Sequence, residues 1–296
     1  MTGASGFVGS RLCRALVEEG HEVAAMTRHP DTYDGAGTAV FGDVDDPSSL
    51  GDAVAGCEAA YYLVHSLDSA DFEKQDAKAA SAFAECASSA GLSQIVYLGG
   101  LGDDDDDLSA HLRSRREVER LLGTTGVPVT ALRAGIVVGH GGISWEMTRQ
   151  LVAHLPAMIT PRWVHTKTQP IGVADVVRYL VGVLGNEEAK GRSFDVGGPD
   201  VLEYIEMMRR VGDIQGRRMI IVPVPVLSPS LSSHWLSLVT DVDTQTGRSL
   251  IDSMSNEVVV KDDSIRRVVP FEPMDYDQQV LSALGERAAA LRAARA

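Results

Sequence analysis

Apolar positions recur in two alternating rhythms over the first two-thirds of the chain. Helical spacing over Ser10 to Glu19 predicts a first helix, and a short apolar run over His21 to Thr27 predicts a strand. A helix over Ser48 to Ala55, an apolar strand over Ala59 to Val64 and a long helix over Asp71 to Ala90 follow. Gln94 to Leu98 reads as a strand, Leu112 to Leu122 as a helix with a charged face, and Pro128 to Val138 as a strand after the stop signal at Gly126. Alternation of this kind up to about residue 200 predicts an α/β fold: a doubly wound parallel sheet with helices on both faces.

Beyond Phe194 the pattern loosens. Gly197-Gly198-Pro199 marks a turn, Tyr204 to Gly212 a helix, and Met219 to Thr240 a stretch without Asp, Glu, Lys or Arg. That stretch is long enough to raise a membrane span, yet Pro223, Pro225 and Pro229 would break a helix within seven residues. The last segment, Tyr276 to Ala296, sets Val280, Leu284, Ala288 and Leu291 at helical spacing with arginines near its end, as in a terminal packing helix. The expected organisation is a first domain over residues 1–200 and a small C-terminal substrate lobe over 201–296.

Composition narrows the partners. With 27 basic against 41 acidic side chains the formal charge is -14, which repels nucleic acid and anionic lipid alike. Cys13, Cys57 and Cys86 are odd in number and lack Cys-x-x-Cys spacing, and no signal peptide pattern opens the chain, so a cytoplasmic protein with no integral membrane segment is expected. Asp103 to Asp107 form a run of five carboxylates. Consecutive residues rarely converge on one ion, so a solvated loop at the cleft is expected there, and no metal.

The chemistry begins at Thr2-Gly3-Ala4-Ser5-Gly6-Phe7-Val8-Gly9, a Gly-x-x-Gly-x-x-Gly turn leading into the first helix. Glycines let backbone approach a pyrophosphate, and a helix N-terminus offers unpaired N–H groups and the positive end of its dipole. Gly3, Ser5, Gly6, Phe7 and Val8 are therefore candidate contacts. Arg28 ends the second strand about 20 residues on, where an NAD site carries a carboxylate for the ribose hydroxyl and an NADP site a positive charge. Arg28 followed by His29 favours NADP(H) over NAD(H); the plainer reading is a solvated arginine. Asp43, in Gly42-Asp43-Val44, is placed to accept from the adenine amino group or merely to cap a turn.

These residues carry a resemblance over nearly the whole chain. The glycine turn, the Gly-Asp-Val turn, Tyr-Leu-Val-His-Ser at 62–66 and Leu-Arg-Ala-Gly-Ile-Val-Val-Gly at 132–139 resemble the extended and atypical short-chain dehydrogenase/reductases. Among these the NAD(P)H-binding proteins called NmrA-like or epimerase/dehydratase-like are the most similar. The segments at 97–102, 111–115, 160–164 and 194–202 are similar to one bacterial subgroup of them. The resemblance implies a Rossmann fold, with Leu63, Val64 and His65 approaching the cofactor after the fourth family strand, and Val44 of the Gly-Asp-Val turn among the cofactor-binding residues.

Two departures from the family stand out. Only Met1 precedes the glycine turn, so the first, central strand is missing or truncated and the natural start is expected upstream. The family's hydride-transferring members use a Tyr-x-x-x-Lys pair helped by a serine. Aligned on Glu119, the lysine position holds Arg115, the tyrosine position His111, and Gly99-Gly100 stand where the serine would be. Arg115 is always protonated and can hold a ribose but not relay a proton, whereas His111 can donate one near neutral pH or serve only as a helix-start histidine. An NADPH-dependent oxidoreductase acting on a small hydrophobic substrate is the first expectation. A non-catalytic NADP(H)-binding redox sensor or assembly factor with a protein partner is the second, and a nucleotide-sugar epimerase or dehydratase the third. Trp145, Trp163 and the Met219–Trp235 stretch either line a pocket for a lipophilic ligand or pack the lobe.

Overall fold

The computed structural model describes residues 1–66, 69, 71–102, 107–155, 157–160, 162–223 and 244–295. The first unit runs α1 (Phe7–Glu18), β1 (Ala24–Thr27), β2 (Thr38–Phe41), α2 (Leu50–Val54), β3 (Ala59–Tyr62), α3 (Phe72–Ser89), β4 (Gln94–Gly100), α4 (Ala110–Leu122) and β5 (Val129–Ala134). Next come β6 (Val137–Val138), α5 (Ile143–His154), β7 (Ala157–Thr160), β8 (Lys167–Thr168), β9 (Ile171–Gly172), α6 (Val173–Val183) and β10 (Ser193–Val196). The remainder is β11 (Leu202–Glu203), α7 (Tyr204–Ile214), β12 (Ile220–Pro223), α8 (Thr244–Ser253), α9 (Ile265–Val268) and α10 (Tyr276–Ala293).

β1 and β2 pair in parallel, and a second parallel set runs β10-β5-β4-β3. Met1 and Thr2 join the two. The Met1 ammonium donates to the Ala24 carbonyl at 2.7 Å, its carbonyl accepts from Met26 N–H at 2.9 Å, and Thr2 N–H donates to the Tyr61 carbonyl at 3.0 Å. The spatial order is therefore β2-β1, Met1–Thr2, then β3-β4-β5-β10. Where the sequence analysis expects a central strand, these two residues alone hold its place. This is the expected doubly wound Rossmann sheet, and its chain direction switches sides at that central slot.

Alternation along the strands divides two cores. Tyr61, Val96, Leu132 and Phe194 face α1 and α6, packing with Leu12, Leu16, Val176 and Leu180. Tyr62, Ile95, Tyr97 and Ala131 face the other way, against Leu50, Phe83, Val118 and Leu122 of α2, α3 and α4. Successive side chains of a strand point to opposite faces, so strands covered on both sides read as near-continuous apolar runs.

A third core holds Trp145, Met158, Tyr204, Met207, Ile251 and Tyr276, drawn from α5, β7, α7, α8 and α10. Trp145 is 1% exposed and packs this core. The chain then returns to the first unit: α8 lies against α4, and Ile265 of α9 joins the core under α1 and α6.

Two predicted elements differ in form. The run over Pro128 to Val138 divides, because β5 ends at Ala134 and β6 leaves the main sheet to pair with β9. In the terminal helix Val280 and Ala283 are buried and Leu284 half-buried, but Ala288 and Leu291 are exposed, so only its first half packs. The carboxylates Asp103–Asp106 and most of the proline-rich stretch, with Pro225, Pro229 and Trp235, lie outside the described residues. Among the described residues no helix is long and apolar enough to cross a membrane.

Candidate active site

Parallel strands present all their C-terminal ends on one edge of the sheet, and the predicted site residues follow those ends. Arg28 follows β1, Asp43 and Val44 follow β2, Leu63 to His65 follow β3, and Gly99-Gly100 close β4. Sequence positions far apart are thus brought to one crevice by topology alone.

The glycine turn sits at the switch point. Gly3 has φ +67°, and a Cβ there would stand 2.9 Å from the Leu63 carbonyl oxygen. The turn is pinned to β3 by Thr2, whose Oγ1 accepts from Leu63 N–H at 3.0 Å. A Cβ on Gly9 would overlap the Gly3 carbonyl oxygen, so the last glycine lets the start of α1 close on the turn. Gly6 caps α1 without a side-chain hydrogen bond, and its first turn holds no acidic residue. The helix therefore opens with free N–H donors, while Ser5 and Gly6 are exposed beside them. These features fit a dinucleotide pyrophosphate.

Phe7 is half-buried, its ring beside Gly139 and Gly142. Arg11 braces the same turn of α1, donating to the Phe7 carbonyl at 2.7 Å, the His140 carbonyl at 2.8 Å and Glu286 of α10 at 2.7 Å.

Arg28 is exposed and makes no hydrogen bond or ion pair among the described residues. Asp43 is half-buried; its Oδ1 accepts from Asp45 N–H at 3.0 Å and its carbonyl from the Ser49 hydroxyl at 3.1 Å. Asp43 thus caps its own turn, and its Oδ2 has no partner among the described residues. Val44 packs at the margin of the α2–α3 core and Val64 does likewise, while Leu63 packs toward α1.

His111 and Arg115, one turn apart on α4, have different surroundings. The Arg115 guanidinium is buried; Nη2 donates to Asp76 Oδ2 of α3 at 2.6 Å, and among the described residues Nε has no partner. Asp76 also accepts from Ser66 N–H at 3.0 Å and from the Ser114 hydroxyl at 3.2 Å. Nearby, the Tyr97 hydroxyl donates to the Arg115 carbonyl at 3.2 Å. Burial raises the Tyr97 pKa to about 12. Nε and Nη1 make no hydrogen bond among the described residues and are the Arg115 donors left for a cofactor ribose.

His111 Nδ1 lies 3.2 Å from Ser253 Oγ of α8. Burial first, then the charges of Arg115 and His65, push the His111 pKa down to about 3. The ring is therefore neutral at physiological pH, which turns the expected proton donor into a neutral hydrogen-bonding group. A Cβ on Gly100 would stand 2.9 Å from Leu112 Cδ2 and 3.3 Å from Arg115 Cγ, so a side chain there would require those two side chains of α4 to shift.

Residues 3–161, more than half of the chain, match a family described as NAD(P)H-binding. The chain belongs to this NAD(P)H-binding family. The chain is 28% identical to the ceramide reductase of Caulobacter vibrioides over 255 residues, covering 80% of this chain and 78% of that one. It is 26% identical over 230 residues to an uncharacterised protein of Mycobacterium tuberculosis, covering 77% of this chain and only 24% of the relative. The chain thus spans about a quarter of the length of the mycobacterial relatives it matches. The fold of this NAD(P)H-binding protein is shared with the NADPH-dependent quinone oxidoreductase of Escherichia coli, solved with NADPH: TM-score 0.76 at 18% identity, covering 94% of this chain and 97% of that one. The expected NAD(P)H-binding family and Rossmann fold are both borne out.

Three residues of the site escaped sequence reasoning. Asp76 left a signal: it stands on the apolar stripe Phe72, Ala79, Ala80, Phe83 of α3, where a carboxylate needs a buried partner. Ser253 and Asn256 left none, because only the return of the chain after residue 244 brings them to α4.

Proposed function

We propose that this protein is an NADPH-dependent oxidoreductase acting on a small hydrophobic substrate. One observation carries the reading: a glycine-rich turn without a side-chain cap at the switch point of the sheet, with Arg28 exposed and, among the described residues, unpaired at the neighbouring strand end. Arg28 would meet a 2′-phosphate, for which an arginine is the natural partner. Gly3, Gly6 and the N–H groups opening α1 would hold the pyrophosphate, and Arg115 Nε would reach the nicotinamide ribose. The cofactor supplies a hydride when bound.

The protein's own part is positioning. Buried Arg115, its charge balanced by Asp76, presents its remaining N–H donors, and neutral His111 offers a hydrogen bond without adding charge. The free thiols of Cys13, Cys57 and Cys86 accord with a reducing cytoplasm. The test is calorimetric titration with NADPH and NADH, followed by NADPH oxidation with quinones and enones. Binding with NADPH preferred, and steady turnover, is the expected result; turnover with NADH alone would refute it.

A second reading, a non-catalytic NADP(H)-binding sensor that changes its contacts with a protein partner, draws on a specific feature. Arg115 is engaged by Asp76 and His111 is neutral, so neither group serves as a strong acid. Tight NADPH binding without turnover on any acceptor would favour it.

A further inference from the structure

The hydrogen bonds around Ser253 constrain the state of His111. A serine hydroxyl carries one hydrogen and accepts through its lone pairs. Ser253 Oγ stands 2.8 Å from the Ser249 carbonyl oxygen, which only accepts, so its hydrogen goes there. This is the usual bond of a helical serine to the carbonyl four residues earlier.

The other two contacts of Ser253 must then be donated to it. Ser109 Oγ, at 3.1 Å, gives its own hydrogen and itself accepts from Leu112 N–H at 3.3 Å. His111 Nδ1, at 3.2 Å, must likewise carry a hydrogen. With one nitrogen so engaged, the tautomer of a neutral imidazole is set.

The contact belongs to a clamp between α4 and the chain after α8. Asn256 Oδ1 accepts from Ser109 N–H at 3.0 Å and its Nδ2 donates to the Asp107 carbonyl at 3.0 Å, holding the start of α4 on both sides of its cap. Nε2, on the side of the ring away from Nδ1, has no hydrogen bond among the described residues. His65, at the sheet's C-terminal edge, is close enough for its charge to act on this ring.

We propose that Ser253 fixes His111 as the Nδ1–H tautomer, leaving Nε2 a bare acceptor that selects ligands presenting a hydroxyl or N–H group to it. Ser253 is a positioning residue, acting only through His111. The ligand preference rests on reading this crevice as a substrate site; the tautomer does not, and it is measured without cofactor.

The experiment is long-range nitrogen–proton correlation NMR on the cofactor-free chain labelled with ¹⁵N-histidine, with His111 assigned by loss of its signals in His111→Asn. The expected pattern is a protonated Nδ1 and a bare Nε2, shifting toward the Nε2–H form in Ser253→Ala and restored in Ser253→Thr. A wild-type ring already in the Nε2–H form would overturn the proposal, and this arm needs no variant to fold. An unchanged tautomer in folded Ser253→Ala would overturn the role of Ser253. Phenol and anisole then probe the ligand preference: phenol is expected to move the Nε2 signal and its methyl ether to leave it in place. Equal effects, or none from phenol, would overturn that preference. Failure of NADPH turnover would leave the tautomer result standing and so count against the oxidoreductase reading alone.

Discussion

Arg115 Nη2 and Asp76 Oδ2 meet at 2.6 Å with both side chains about 5% exposed, tying α4 to α3 beneath the crevice. A buried ion pair need not add net stability, but removing one partner leaves a desolvated charge. Asp76→Ala is therefore expected to destabilise the protein by about 3–5 kcal/mol. The double variant Asp76→Leu with Arg115→Met should recover most of that loss. Denaturant unfolding of the single and double variants measures both.

The glycine turn allows a sharper test of the cofactor site. Gly3→Ala places a Cβ at φ +67° and 2.9 Å from the Leu63 carbonyl oxygen. The left-handed conformation alone costs about 1–2 kcal/mol for an L residue, and the turn must open to relieve the contact. NADPH affinity is expected to fall at least about tenfold, which corresponds to about 1.4 kcal/mol. Calorimetric titration reads the loss, with circular dichroism showing that the fold persists.

Arg28→Ala is expected to act on selectivity more than on stability, because the side chain is exposed and without a partner among the described residues. A charge-assisted hydrogen bond contributes about 1.5–3 kcal/mol. NADPH binding should therefore weaken by at least about tenfold while NADH binding stays nearly constant. Parallel titrations of the two cofactors check the ratio; an unchanged ratio would remove Arg28 from the site.

The depressed pKa of His111 predicts a pH effect of defined sign. Its folded pKa is about 3 against an ordinary value of 6.5. Above 6.5 the ring is neutral in both states and the full stability is present. As pH falls from 6.5 toward 3 the unfolded chain takes a proton that the folded one refuses, so stability is lost. The slope from this one group approaches about 1.4 kcal/mol per pH unit. His111→Gln is expected to flatten the stability curve in that window, as measured by urea unfolding between pH 4 and pH 7 on an order-of-magnitude grid of about one unit.

The glycine turn, Arg28 and Asp43 could be singled out as candidates because each sits at a fixed offset from a local signal, a turn or a strand end. Arg115 and His111 were legible as positions on α4, from the spacing to Glu119, but their states were not. Asp76 stands 39 residues from Arg115 and Ser253 stands 142 from His111. No local pattern couples such pairs.

By itself the sequence determined the order of strands and helices, the phosphate-type turn and the acidic balance, since periodicity, glycine placement and charge are local or additive properties. Tertiary structure alone decided that Met1 and Thr2 stand in the central slot of the sheet and that α8 returns to α4. It also decided that Arg115 is paired and His111 neutral. Burial and proximity set those outcomes: a charge responds to the dielectric and the partners around it, and these exist only once distant segments have packed together.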